Sequence, residues 1–183
     1  ADYADMPDAD LILVTHEHGD HLDYTAIKHI LKEESRVVMT EACVKDEEDI
    51  GAIVMKNGDA KTLHGIRINA IPAYNVVHER SKGNPYHPKG VGNGYILNFG
   101  QTTVLIGGDT ENIPEIKQLK AHIDVAFLPM NLPYTMTPEM VADAAMAFRR
   151  EILYPYHFGN TDPQKLVELL KDEGDIEVRI RNL

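Results

Sequence analysis

The chain has 183 residues, of which 43% are hydrophobic and 26% are charged, a composition typical of a soluble globular protein. Its length predicts one domain, residues 1–183, which is large enough to bury a hydrophobic core. The formal net charge of −11 disfavours a nucleic-acid partner, because such a surface requires clustered lysine and arginine. No apolar run approaches the ~20 residues that cross a bilayer, so no membrane partner is expected.

The first residues and the cysteine count bear on the compartment. Residues 1–5 are acidic and polar, unlike the basic start and apolar core of an export signal. We therefore expect a cytoplasmic protein, unless a signal has been removed ahead of this numbering. The single cysteine, Cys43, excludes an internal disulfide and a zinc site built from cysteines.

The chain begins with a strand pattern followed by a helix pattern. Residues 10–15 form a continuous apolar run, which predicts a strand buried on both faces. Apolar residues at helical spacing then predict a helix over 23–33, and a short strand follows at 36–39. A strand, a helix and a second strand in this order indicate a βαβ unit.

The middle of the chain is rich in strand patterns. A short helix is predicted to begin at Thr40, and alternation over 61–73 predicts a hairpin-like pair of half-buried strands. Residues 74–90 form the longest irregular segment, and a segment of this length in a compact domain favours a functional loop. A second hairpin is predicted over 94–106, around Gly100.

Strands and helices alternate again toward the C terminus. The patterns predict a strand at 124–128, a helix at 138–149 with Thr137 as its cap, a strand at 152–154, a helix at 163–171 and a strand at 176–180. Strand–helix alternation at both ends, with meandering strands between, predicts a mixed α/β sandwich.

A cluster of metal-binding residue types follows the first predicted strand. Within six positions the chain places His16, His18, Asp20 and His21, with Gly19 where the backbone must turn tightly. Imidazole and carboxylate together suit zinc and its first-row neighbours. Three of the nine histidines fall in this one segment, so a chance grouping is a poor explanation.

Later strands end in the same types of residue. Asp109 follows the second hairpin, His157 follows the strand near the C terminus, and His78 and His87 lie in the long segment. In an open α/β sheet the carboxyl ends of strands form the binding edge. We therefore expect these side chains to converge on one metal site.

The pattern His16-x-His18-x-Asp20-His21, followed by Gly108-Asp109 and by His157, resembles the metallo-β-lactamase superfamily. A closer resemblance is to the metal-dependent hydrolases related to ascorbate-6-phosphate lactonase, and its segments are Pro72–Asn75, His87–Gly90, Gly107–Thr110 and Tyr156–Gly159. The resemblance spans roughly residues 8–160. It implies an α/β (α+β) fold, an αββα sandwich with metal at the sheet edge.

The resemblance also implies a set of ligands for two divalent metal ions. These ligands are His16, His18, Asp20, His21, His87, Asp109 and His157, with His78 as the alternative to His87. Asp109 would bridge the two ions. Zinc is the expected metal, with Mn²⁺ or Fe²⁺ as alternatives.

The function that this implies is hydrolysis of a small anionic ester, lactone or phosphodiester by a metal-bound hydroxide. Asp20 or Asp109 would take up the proton and pass it to the leaving group. Asn75, Lys89 and Tyr134 lie on loops expected at the same edge, which makes them candidates for holding the anionic substrate.

Two other functions are compatible with the same fold. One is a metal-binding protein without enzymatic turnover. The other is a diiron redox protein, which is less favoured because that branch places a glutamate where this chain has His18. The superfamily normally has further strands before the histidine motif, so the chain is expected to lack the usual N-terminal strands. We accordingly expect a homo-oligomer or a complementing chain to cover the exposed sheet edge.

Overall fold

The computed structural model describes residue 3 and residues 6–45, 49–148 and 150–181. The first of its sheets has three parallel strands in the order β1, β2, β3: β1 Ala9–Leu13, β2 Leu31–Met39 and β3 Ile53–Val54. Helix α1 (Tyr24–Ile30) connects β1 to β2, which gives the predicted βαβ unit. The Asp23 side chain caps this helix by accepting the backbone N–H of Ala26 at 3.0 Å.

The remaining strands form a large mixed sheet and a small hairpin. Their bounds are β4 Ala60–Leu63, β5 Ile66–Ala73, β6 Glu79–Ser81, β7 Asn84–Pro85, β8 Gly92–Phe99, β9 Thr102–Ile106, β10 Ile123–Pro129, β11 Arg150–Tyr156 and β12 Glu177–Val178. The seven-stranded sheet has the order β12-β11-β10-β9-β8-β5-β4, and β6 pairs with β7 alone. Strands β9 to β12 are parallel, whereas β4, β5, β8 and β9 pair antiparallel.

Three further helices lie on the large sheet: α2 (Pro114–Lys117), α3 (Pro138–Ala147) and α4 (Gln164–Leu170). Their buried side chains, such as Ile116, Val141 and Leu166, pack in one cluster with Ile96 and Leu105 of the sheet. Helix α3 begins after Thr137, whose side chain accepts the backbone N–H of Met140, as the capping pattern predicts. None of the described helices has the length and apolarity needed to span a membrane.

Side-chain alternation along the strands separates the molecule into four layers. In β2, Val37 and Met39 pack toward the side of Ile27 from α1, while Val38 packs in the cluster between the two sheets. In β8, Tyr95 faces that central cluster and Ile96 faces α2–α4. The order is therefore helix, sheet, sheet, helices, and the predicted αββα sandwich is confirmed.

Several local predictions are corrected by the structure. The first strand is only half-buried, because β1 lies at one end of the three-stranded sheet and Asp10 is exposed. Helix α1 ends at Ile30 rather than 33, because the chain enters β2 directly. The helix beginning at Thr40 is a single 3₁₀ turn, Glu41–Cys43.

Toward the C terminus the corrections continue. Helix α3 ends at Ala147, and its predicted end at Arg149 lies outside the described residues. The segment 74–90 is not wholly irregular, since it carries the β6–β7 hairpin. Helix α2 was not predicted, because four residues are too few for a helical pattern to show.

Candidate metal centre

The site lies where strands from both sheets end. Residues 14–23 connect β1 to α1 and carry the histidine motif, Asp109 follows β9, and His157 follows β11. Two hydrogen bonds join the loop of the motif to β8 of the large sheet. The Asn93 N–H donates to the Thr15 carbonyl at 2.9 Å, and the Tyr95 hydroxyl donates to the Val14 carbonyl at 2.8 Å. The two sheets are therefore fixed to each other beside the site.

The sequence-predicted ligands fall into overlapping groups of residues whose donor atoms lie within 4.8 Å of one another. These groups are His16–His18–His87, His16–His21–Asp109 and Asp20–His21–His157. All seven predicted ligands are thus brought together by the fold. The preferred histidine of the long segment, His87, is among them, and its alternative His78 is not.

Asp109 lies between the histidines of the two outer groups. Its Oδ2 is 3.3 Å from Nε2 of His87 and 3.9 Å from Nε2 of His16, while its Oδ1 is 3.4 Å from Nε2 of His21. The side chain of Asp109 is only 3% exposed. One carboxylate therefore faces donors from the two sides of the site at once.

Burial and charge shift the pKa values of these groups in opposite directions. Burial, together with the neighbouring imidazole of His21, lowers the pKa of His16 to about 3. Burial alone would raise the pKa of Asp109, but the adjacent imidazoles of His21 and His87 outweigh it and hold this pKa well below its usual range. Burial would lower the pKa of His21, but the neighbouring carboxylates of Asp109 and Asp20 outweigh burial and raise it.

The polar atoms of the site fit a cation. Among the described residues, Nε2 of His21 and Oδ1 of Asp109 are buried and have no hydrogen-bond partner. Leaving such atoms unpaired costs about 1–3 kcal/mol each, which a bound metal would offset. Imidazole nitrogen and carboxylate oxygen are also the donors that zinc and its neighbours take. The residues present therefore match the metal that their types predict.

His87 is oriented by Asn75, which was predicted to hold substrate. The Asn75 Oδ1 accepts both the backbone N–H and the Nδ1–H of His87, each at 2.8 Å. Its Nδ2 donates to Glu111 at 3.0 Å and to the Tyr134 carbonyl at 2.9 Å. The amide of Asn75 is buried, bonds protein groups with both its oxygen and its nitrogen, and does not line the cavity, so this structure does not bring it to the predicted substrate position.

Glu111 is a buried carboxylate that the sequence analysis missed. It accepts the backbone N–H groups of Val76, Val77 and His78 at 2.6–2.9 Å, and also Nδ1 of His78 at 2.5 Å. These hydrogen bonds account for the position of His78 away from the ligand groups. The sequence does show an acidic residue two positions after Asp109. Its hydrogen-bond partners at 76–78 are distant in sequence, however, so no local pattern indicates its role.

A cavity of about 310 Å³ opens above the ligands. Its lining residues are His18, Asp20, Arg80, Tyr86, His87, Asp109, Asn131, Tyr134 and His157. Tyr134 was predicted to line the site and does so. Lys89 was also predicted at this site, but it does not line the cavity. Its ammonium pairs with Glu115 of α2 at 2.8 Å and lies over the ring of Tyr74. Arg80, Tyr86 and Asn131 were not predicted.

Comparison with known proteins agrees with this geometry. The sequence profile of the Beta-lactamase superfamily domain matches residues 1–157. A UPF0173 metal-dependent hydrolase of Thermococcus kodakarensis is 30% identical over 93% of this chain and 79% of its own length. A UPF0173 metal-dependent hydrolase of Pyrococcus horikoshii is 29% identical over 95% of this chain and 80% of its own length.

A solved structure supports the same relationship. It comes from Parabacteroides distasonis, is described as a metal-dependent hydrolase, and superposes with a TM-score of 0.89 at 50% identity over 100% of this chain and 80% of its own. The metallo hydrolase Igni18 of Ignicoccus hospitalis shares the fold, with a TM-score of 0.78 at 24% identity over 99% and 79% of the two chains. The chain therefore belongs to the metallo-β-lactamase superfamily and, within it, to the UPF0173 family of metal-dependent hydrolases.

Proposed function

We propose that the protein is a dinuclear hydrolase that cleaves a small anionic ester, lactone or phosphodiester, with zinc as its metal and Mn²⁺ or Fe²⁺ as alternatives. The observation that carries this proposal is the position of Asp109, whose two oxygens face histidines of different ligand groups. A single ion would not require donors on both sides of one carboxylate. The closer resemblance to ascorbate-6-phosphate lactonase favours an ester or lactone over a phosphodiester.

The donor sets divide naturally between two ions. His16, His18 and His87 would hold one ion, and Asp20, His21 and His157 would hold the other, with Asp109 shared. When bound, such ions lower the pKa of a coordinated water to about 7 and polarise a carbonyl or phosphoryl oxygen.

The two carboxylates of the site are suited to different tasks. Asp109 is buried and fixed between imidazoles, so it holds the ligand groups together. Asp20 is 58% exposed on its side chain and lines the cavity, with Oδ2 at 3.1 Å from Nε2 of His157. Its pKa is lowered, with backbone hydrogen bonding and the charges of His21 and His157 outweighing burial, so it is ionised at neutral pH. Asp20 is therefore the group that can accept a proton at Oδ2 and return it to a leaving group.

The cavity limits the size of the substrate. Its volume of about 310 Å³ corresponds to a small molecule and lies at the lower end of typical ligand sites. Tyr134 and Tyr86 meet edge to face at 5.0 Å and offer an aromatic wall for the carbon part of the substrate.

Elemental analysis combined with a hydrolase screen tests this proposal. We expect close to two metal ions per chain and turnover of at least one ester, lactone or phosphodiester. Asp109→Asn should retain the fold by circular dichroism, lose metal and lower kcat/KM by about 100-fold or more. Asp175→Asn, which changes an exposed carboxylate outside the site, is the matched control.

Two outcomes would contradict the proposal. Full hydrolytic activity in Asp109→Asn would remove the shared carboxylate from the mechanism. Two bound metal ions with no turnover across the panel would instead support a metal-binding protein without enzymatic activity.

A further inference from the structure

The cavity above the metal centre has one permanent positive charge on its wall. Of its nine lining residues, Arg80 alone is a lysine or an arginine, in a chain whose formal net charge is −11. The other polar lining groups are histidines and carboxylates assigned to the ligand groups, together with Asn131 and two tyrosines. Arg80 is therefore the lining residue that differs in charge and has no role in the metal centre.

The guanidinium of Arg80 packs on an aromatic ring and forms no ion pair with a carboxylate of the described residues. Its Cζ lies over the ring of Tyr86, 5.3 Å from the ring centroid. Lys89, Lys117 and Arg179 each form an ion pair with a carboxylate. Within the described part of the chain, no carboxylate forms such a pair with Arg80. The donors of this guanidinium are thus left for a ligand.

The hairpin that carries Arg80 is anchored to the metal centre. Its turn is held by Gly83 N–H donating to Oε2 of Glu79 at 2.9 Å. At its base, Asn75 and His87 exchange hydrogen bonds, from Asn75 N–H to the His87 carbonyl at 2.9 Å and from His87 N–H to Oδ1 of Asn75 at 2.8 Å. His87 and Arg80 therefore lie on the same segment, residues 75–87, whose two ends are hydrogen-bonded to each other.

We propose that Arg80 binds an oxyanion of the substrate, a carboxylate or a phosphate, at the end of the substrate remote from the bond that is cleaved. This inference rests on the proposed function, because it needs the scissile group to lie at the metal centre. A planar guanidinium binds either oxyanion with two parallel hydrogen bonds, which an ammonium does not. The substrate class is thus an ester or lactone that carries a separate anionic group.

The contribution of Arg80 to kcat/KM is measured with a pair of matched esters. The 4-nitrophenyl monoester of glutarate ends in a carboxylate where 4-nitrophenyl pentanoate ends in a methyl group. For the metal-loaded wild-type protein, we expect kcat/KM for the glutarate ester to exceed that for the pentanoate ester by about 10- to 100-fold, mainly through KM. In Arg80→Gln this ratio should fall to about 1, and Arg80→Lys should give an intermediate ratio.

Lys82→Gln is the matched control, since it removes one positive charge from the same hairpin at an exposed position outside the cavity lining. Its ratio should equal that of the wild type. An unchanged ratio in Arg80→Gln, or an equal fall in both variants, would overturn the inference. The corresponding ester of 4-phosphonobutanoate identifies the anion, because a higher ratio than for glutarate indicates a phosphate and a lower ratio indicates a carboxylate.

Calorimetry separates this inference from the proposed function. Glutarate and pentanoate, the acids of the two esters, are titrated into the metal-loaded wild-type protein and into Arg80→Gln. Tighter binding of glutarate by about tenfold or more, lost in Arg80→Gln, would support Arg80 as the anion-binding residue even if neither ester were hydrolysed. Equal binding of the two acids by the wild-type protein would overturn the inference even if both esters were hydrolysed.

Discussion

Asn75 and His87 are joined by a hydrogen bond of 2.8 Å between Oδ1 of the amide and Nδ1 of the imidazole. Because an amide oxygen only accepts, Nδ1 of His87 carries the proton and Nε2 is left as the donor atom for a metal. That Nε2 lies 3.3 Å from Oδ2 of Asp109. The amide thus selects both the tautomer and the direction of the ring.

This relationship predicts a loss of metal affinity in Asn75→Ala. Removing the partner of a metal-binding histidine typically weakens metal binding by about 10- to 100-fold. Competition titration with a chromophoric chelator measures the change. Asn98→Ala is the control, because Asn98 bonds Thr103 within the β8–β9 hairpin and not the metal centre. Equal affinities of the Asn75 variant and the wild type would show that Asn75 does not orient the ligand.

The buried carboxylate of Glu111 predicts a pH-dependent stability. Burial would raise its pKa, but the hydrogen bonds from Asn75 and from the backbone of 76–78 outweigh burial and lower it. A lowered folded-state pKa means that Glu111 stabilises the protein above its unfolded value of 4.5, and that this contribution is lost as the pH falls through the folded pKa.

Glu111→Gln should therefore lower the free energy of unfolding at pH 7 by about 2–3 kcal/mol. The difference from the wild type should shrink as the pH falls below 4.5. Urea unfolding of the chelator-treated protein at a series of pH values is the measurement. A difference that is constant from pH 7 to the acid end would show that the ionised carboxylate is not what stabilises this segment.

Gly108 predicts a steric requirement beside Asp109. It adopts φ +66°, and a Cβ built there would lie 2.6 Å from the backbone oxygen of Asn93. Gly108→Ala should cost about 1–3 kcal/mol from backbone conformation alone, with the clash added to it. Gly100→Ala is a matched control, because Gly100 has φ +62° with nothing within 4 Å of its Cβ. Thermal unfolding should show the larger loss for Gly108→Ala, and equal losses would contradict the close approach.

The histidines of the site predict how metal affinity depends on pH. His16, with a pKa of about 3, is neutral in the metal-free protein and loses no proton on binding. His21 has a pKa raised above 6.5, so metal must displace its proton, and affinity falls as the pH falls through that pKa. We expect zinc affinity still to rise with pH above 6.5, with proton release detected by calorimetry in buffers of different ionisation enthalpy. An affinity that is already constant above this pH would contradict the raised pKa.

The layers of the fold could be predicted from the sequence because each strand carries its own alternation. Val37 and Val38 point to opposite faces of β2, and Tyr95 and Ile96 do the same in β8. Two sheets were implied by the family resemblance alone, and the assignment of each strand to its sheet could not be predicted, since no local pattern records which strand pairs with which. The end of α1 was also missed, because Leu31 suits a helix and a strand equally well.

The candidate metal centre was more predictable than the lining of the cavity beside it, for a physical reason. Donor residues such as His16 and Asp109 follow apolar strands directly, so their convergence follows from strand ends meeting at one edge. Glu111 instead bonds backbone groups more than 30 positions away, which leaves no mark on local sequence. The ion pair of Lys89 with Glu115, away from the cavity, was not predicted, because Glu115 belongs to a helix too short to predict.

The hydrogen bonds between Asn75 and His87 close the base of the segment that carries the β6–β7 hairpin. The chain leaves at Asn75 and returns at His87, and the hydrogen bonds that join these two residues involve none of residues 79–86. Residues 79–86 can therefore change in sequence or length while the ligand stays where it is. Substitutions in this segment would then alter the wall of the cavity, which Arg80 and Tyr86 line, while the proposed metal ligands keep their positions.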